Sequence, residues 1–170
     1  MVKTIFLDLD DTLLDFHQAE RQAISWTLRR FHIEPTDQML ERYHEINRRQ
    51  WELLEEGKLT RDQVLTRRFD LLFAELGRSC SSVEVRDVYE GFLSQGHFFI
   101  LGAPELLETL APRYDLYLAS NGTATVQAGR LESAGISRYF KGIFISEAMG
   151  ANKPSPAYFR ACFDAIPGFD

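Results

Sequence analysis

Asp8 and Asp10 stand two residues apart at the end of the apolar run Ile5-Phe6-Leu7, in the stretch Asp8-Leu9-Asp10-Asp11-Thr12-Leu13. In an extended chain, side-chain alternation puts both carboxylates on one side. Two acids at the carboxyl end of a parallel strand sit where open α/β sheets place their active sites. Such a pair can hold Mg²⁺, with one acid attacking phosphorus and the other carrying a proton. A strand that simply runs into an acidic turn would read the same in this window.

Two later stretches bear on that choice. Ser120-Asn121-Gly122 lies between a strand pattern and a helix pattern. A hydroxyl and backbone N–H groups at such a turn make a seat for phosphate, although Ser-Asn-Gly is also an ordinary turn sequence. Lys153 lies in Asn152-Lys153-Pro154-Ser155-Pro156, where two prolines stiffen the backbone beside the charge. It could neutralise a phosphoryl group and a nearby carboxylate together, or it could be a solvated surface lysine.

The elements that must position these residues follow from hydrophobic period and boundary signals. Residues 2–9 read as a buried strand, and 15–96 read as helix throughout. Phe16, Ala19, Ala23, Trp26 or Thr27 and Phe31 recur at helical spacing up to Pro35. Thr36 can cap a second helix with Met39, Tyr43, Ile46, Trp51 and Leu54 inward, closed by Gly57. Thr60 and Gln63 form a capping box for a third, with Leu65, Phe69, Leu72 and Leu76 inward. Ser81 and Glu84 open a fourth that uses Val85, Val88 and Phe92 and closes at Gly96. Short connections predict an antiparallel bundle. Beyond it, Pro104 opens a helix bearing Leu106, Leu107 and Leu110, and Tyr114 to Ala119 is a strand. A helix then ends at Gly135, 142–145 is a strand, and Ser155-Pro156 starts a last helix. The fold class is α/β: a parallel sheet interrupted early by a helical cap, with 1–14 and 97–170 in the core and 15–96 in the cap.

Composition narrows the function classes. The 170 residues, 45% hydrophobic, suffice for one core and an inserted subdomain. A net charge of −6 disfavours a nucleic-acid polymer as partner, because phosphate neutralisation needs a basic surface. It leaves room for a small phosphorylated metabolite held by local charge and a metal. Cys80 and Cys162 lie far apart, in no disulfide or zinc spacing. No apolar run is long enough to span a membrane and no leader pattern opens the chain, so a cytoplasmic setting is expected. His17, His32, His44 and His97 are scattered in no metal-binding spacing, and neither a serine-hydrolase elbow nor a P-loop is present.

The acid pair, the Ser-Asn-Gly turn and the proline-flanked lysine follow three successive strands in that order, and together they resemble the haloacid dehalogenase-like hydrolase superfamily. Asp8-Leu9-Asp10-Asp11-Thr12 matches its first motif, Ser120 its second and Lys153 its third, with a helical cap between the first two. The resemblance implies a Rossmann-like core with an inserted four-helix-bundle cap. It also implies Asp8 as the nucleophile that becomes an aspartyl-phosphate, and Asp10 as general acid and then base. Mg²⁺ is expected on Asp8 and the Asp10 carbonyl, with Ser120, Asn121 and Lys153 as the phosphate site. An acid at position 10 favours phosphatase over dehalogenase chemistry. Leu9 differs from the lysine of ion-pumping relatives, and Thr12 from the valine common in sugar phosphomutases. Residues 6–16 and 146–154 resemble the noncanonical pyrimidine nucleotidase branch, which implies a nucleoside 5′-monophosphate as substrate.

The fourth motif of that family, a strand ending in acids that complete the Mg²⁺ shell, has no counterpart before Asp170. The expectation is therefore a core lacking its C-terminal strands, in an incomplete and impaired form of a Mg²⁺ phosphatase. Substrate choice in capped relatives comes from the cap, where Phe16, His17, Arg48, Arg49 and Trp51 are candidate substrate contacts. Of these, Phe16 and Trp51 also read as bundle core and Arg48-Arg49 as a solvated face. The rival readings are a sugar-phosphate phosphatase or phosphomutase on the same fold, and a non-catalytic binding protein.

Overall fold

The computed structural model describes residues 2–169; Asp170 lies outside them. The chain forms two compact units, one of residues 1–16 with 97–170 and one of residues 17–96.

The helical unit is built from α1 (Phe16–Arg30), α2 (Asp37–Glu55), α3 (Arg61–Glu75) and α4 (Ser82–Leu93). Its boundaries are set by local chemistry. The Thr36 hydroxyl accepts from Met39 N–H, and the Ser81 hydroxyl from Glu84 N–H. Thr60 and Gln63 close a reciprocal capping box. Gly57 and Gly77 take the left-handed conformation that ends α2 and α3. Tyr43, Phe69 and Tyr89 pack with ring centroids 5.3–5.6 Å apart at the centre. Of Trp26 and Thr27, it is Thr27 that turns inward, its hydroxyl bonded to the Ala23 carbonyl, while Trp26 lies against Phe92 nearer the surface.

One polar chain crosses this interior. Buried Glu20 receives the Asn47 side-chain amide at 2.6 Å and lies 2.6 Å from His44 Nδ1, and Asn47 accepts from buried Arg68. A charge taken out of water needs such partners. The same geometry brings together two histidines that lie on different helices. His17 and His44 have ring centroids 4.5 Å apart, and with Glu20 they offer ligand-type atoms within 4.8 Å of one another. Two helices supply them, so no single-segment spacing could reveal it.

In the α/β unit, β1 (Thr4–Leu7), β2 (Asp115–Ser120) and β3 (Gly142–Ile145) pair in parallel in the order β1-β2-β3. The helices α5 (Ala103–Leu110), α6 (Ala124–Ala134), α7 (Ser146–Met149) and α8 (Pro156–Asp164) connect or flank the strands. Alternation along β2 sorts its side chains. Leu116 and Leu118 join a core with Leu107 and Leu131, while Tyr117 and Ala119 join another with Tyr158 and Cys162. The central strand is thus covered on both faces, as parallel sheets require. The four-residue α7 was not foreseen, being too short to show a period. Leu106 turns to solvent instead of inward, while Leu107 is fully buried and Leu110 packs against the same core. Among the described residues no helix is long and apolar enough to cross a membrane.

Buried Tyr158 ties α8 to the sheet by donating to the Phe144 carbonyl at 2.7 Å. Burial, with Cys162 beside it, pushes its phenol well above the ordinary tyrosine value, so it remains a donor. Tyr158→Phe leaves that carbonyl without this partner and is expected to lower unfolding free energy by about 1–2 kcal/mol in urea denaturation. No change in stability would show that the bond is dispensable.

Candidate active site

The acid pair is aimed by the turn that follows β1. Leu9, Leu13 and Leu14 are fully buried, and the Leu9 carbonyl receives the N–H groups of Leu13 and Leu14 at 2.9 and 3.0 Å. Anchoring Leu9 inward puts its neighbours Asp8 and Asp10 on the opposite side, as alternation predicts. Asp11 takes positive φ, which aspartate tolerates, and its carboxylate accepts the Phe16 N–H at the start of α1. Both contacts of the Asp8 carboxylate fall on Oδ1: the Leu9 N–H at 2.8 Å and the Lys153 ammonium at 2.8 Å.

Lys153 is placed from β2. Its ammonium also donates to the Ala119 carbonyl at 2.8 Å, which holds the charge between the strand end and Asp8. The Asn121 side chain grips the Lys153 backbone at both groups, donating to its carbonyl at 3.0 Å and accepting its N–H at 2.8 Å. Asn121 was read as a phosphate contact. Its side chain orients Lys153.

Ser120 is buried at the end of β2, and its hydroxyl oxygen accepts from Gly122 N–H at 3.3 Å and from Gln127 Nε2 at 2.8 Å. With both lone pairs engaged, the hydroxyl proton is left to donate, which suits a phosphoryl oxygen. The first turn of α6 has a partner of its own. Ala124 N–H goes to the Glu147 carboxylate at 2.6 Å, so an acid from α7 already occupies that helix end.

Gln127 and Arg130, one turn apart on α6, were missed by sequence reasoning. Arg130 is fully buried, with one guanidinium nitrogen donating both to Asp10 Oδ1 and to Gln127 Oε1. Arginine has no acceptor, so this contact fixes which end of the Gln127 amide faces it. Gln127 Nε2 then points the other way and donates to Asp10 Oδ2 at 2.7 Å as well as to Ser120. The Phe16 ring lies 5.6 Å from the Arg130 guanidinium carbon. Gly122 is glycine for a related reason. A Cβ there would come within 2.5 Å of the Gln127 side chain.

The donor set suits a hard cation. Asp8 Oδ2 takes no part in the contacts above, and none of the backbone bonds of the turn falls on the Asp10 carbonyl. A carboxylate oxygen and a peptide carbonyl are the ligand types Mg²⁺ selects. Of the candidates in the helical unit, His17 lies against His44, and Arg49 pairs with Glu52 and Glu56, both at 3.1 Å. Arg48 is exposed, and Trp51 carries Arg61 at 5.5 Å from its ring.

Comparison with known proteins agrees in sequence and in shape. A family profile described as haloacid dehalogenase-like hydrolase matches residues 2–168. YfnB of Bacillus subtilis (strain 168) is 39% identical over 167 residues, spanning 98% of this chain and 71% of its own length. Pyrimidine 5′-nucleotidase PynA of Streptococcus pneumoniae is 33% identical over 168 residues, 98% of this chain and 71% of that protein. Pyrimidine 5′-nucleotidase YjjG of Escherichia coli is 26% identical over 161 residues, 91% of this chain and 67% of that protein. The crystal structure of magnesium-bound YfnB superimposes with a TM-score of 0.94 at 38% identity, covering 99% of this chain and 76% of that one.

Proposed function

This chain belongs to the haloacid dehalogenase-like hydrolase family, and we propose that within it the protein is a Mg²⁺-dependent phosphomonoesterase acting on nucleoside 5′-monophosphates. The observation that supports the chemistry most is the Asp8–Lys153 ion pair at 2.8 Å beyond the carboxyl ends of parallel strands. A carboxylate beside a cation can attack phosphorus, and the same cation attracts the phosphoryl group. The substrate class is supported by the relatives PynA and YjjG, both named pyrimidine 5′-nucleotidases.

In this reading, a carboxylate oxygen of Asp8 forms a bond to phosphorus while the ester P–O bond breaks. The leaving oxygen takes the electron pair and a proton from the Asp10 carboxyl group. Asp10, now a carboxylate, removes a proton from water, whose oxygen bonds phosphorus and displaces Asp8 as inorganic phosphate leaves. Lys153 and the Ser120 hydroxyl hold the phosphoryl oxygens, and Asn121 keeps Lys153 in place. The Asp8 carboxylate and the Asp10 carbonyl would hold Mg²⁺, which neutralises charge on the transferring group.

Phosphate release from UMP, dUMP and dTMP, measured beside p-nitrophenyl phosphate and a sugar phosphate, tests the reading. Nucleotides are expected to lead in kcat/KM. EDTA is expected to abolish release and added Mg²⁺ to restore it. A leading sugar phosphate would overturn the substrate class alone. No release from any ester by the folded protein would overturn the phosphatase reading.

A further inference from the structure

We propose that Arg130 and Gln127 are positioning residues that hold the Asp10 carboxyl group on the line of proton transfer and lock it to Ser120. The inference rests on the phosphatase reading and adds to it two residues outside the strand-end motifs.

Four observations carry it. Each oxygen of Asp10 has its own holder, Oδ1 on Arg130 and Oδ2 on Gln127. One Gln127 nitrogen bonds both Asp10 at 2.7 Å and Ser120 at 2.8 Å, so the proton carrier and the phosphate donor share a single fixed group. The holders themselves are nearly solvent-free, Arg130 0% and Gln127 2% exposed, whereas the Asp10 side chain is 30% exposed. The rigid part is therefore behind the acid and the accessible part in front, as a group that must meet a substrate oxygen requires. Finally, Gly122 leaves the space that Gln127 fills.

A purely structural ion pair would satisfy Arg130 without any need for Gln127 to bridge to Ser120. The bridge sets a distance between two groups that act on opposite sides of one bond: Ser120 on a phosphoryl oxygen, Asp10 on the leaving oxygen. Misplacement of Asp10 weakens proton delivery to the leaving group. That delivery matters for a strongly basic alkoxide, and little for nitrophenolate, which departs as a stable anion.

The test compares kcat/KM, which reports the step that forms the aspartyl-phosphate, for UMP and for p-nitrophenyl phosphate. The proteins are the unaltered chain, Arg130→Met, Arg130→Lys, Gln127→Leu and Gly122→Ala. Arg130→Met and Gln127→Leu are expected to lose about 10²-fold on UMP but less than about tenfold on p-nitrophenyl phosphate. Arg130→Lys should recover part of the loss by restoring a donor to Asp10. Gly122→Ala, which crowds Gln127 and leaves the Arg130 side chain itself intact, should show the same selective loss and stands in where Arg130→Met does not fold. Equal losses on both esters, or none on either, would overturn the positioning role. An unaltered chain that hydrolyses neither ester fails at the phosphatase reading, and the inference falls with it.

Discussion

Asp8→Asn is expected to reduce phosphate release by roughly 10⁴-fold or more while leaving the protein folded. The amide oxygen can still accept the Leu9 N–H and the Lys153 ammonium, the two contacts Asp8 makes through Oδ1. What disappears is the anionic oxygen that attacks phosphorus. Thermal unfolding and kinetics on the same preparation separate the two effects. A variant that keeps a tenth of the activity would mean that another group is the nucleophile.

Lys153→Met is expected to cost about 10²-fold in kcat/KM, chiefly through electrostatics. Asn121 grips the backbone of residue 153 at both its N–H and its carbonyl, so the loop stays in place when the side chain changes. Methionine fills much of the same volume but leaves Asp8 without its cation. Lys153→Arg should recover little, since a planar fork does not reproduce an ammonium that serves Ala119 and Asp8 at 2.8 Å each. If arginine restored full activity, a general positive field would be sufficient and the specific placement of Lys153 would carry no weight.

Most of this site was readable because its parts sit at strand ends, where a change of period marks the place. Asp8 and Asp10 follow β1, Ser120 ends β2, and Lys153 follows β3 and α7 and directly precedes Pro154. Gln127 and Arg130 were not readable. Two polar residues at helical i, i+3 spacing on α6 look like a solvated face, and only the tertiary structure turns that face onto Asp10. The signal available was a pair of long polar side chains just after the Ser-Asn-Gly turn.

Caps and glycines located α2, α3 and α6 to within a residue or two, whereas the first helix, expected to run up to Pro35, ends at Arg30, and side-chain direction was less secure. Phe16 reads as bundle core but belongs with the α/β unit, its ring against Arg130. Asn121 reads as a phosphate ligand because of its neighbours, and the pairing of its amide with a peptide group 32 residues away was not visible. The buried Glu20 with His44 and Asn47 likewise needed two helices to be seen together. In each case the missing information was long-range pairing, which local period does not encode.

The central claim is a covalent phosphoryl group on Asp8. Its most direct test is a rapid-quench reaction of p-nitrophenyl phosphate with Asp10→Asn in the presence of Mg²⁺, followed by peptide mass analysis. Asparagine cannot activate water, while nitrophenolate leaves without an acid, so the first step should outrun the second. The account predicts a burst of one nitrophenolate per protein and one phosphoryl group on the peptide that carries Asp8. A folded Asp10→Asn protein with no burst and no modified Asp8, alongside an unaltered chain that turns over, would contradict it.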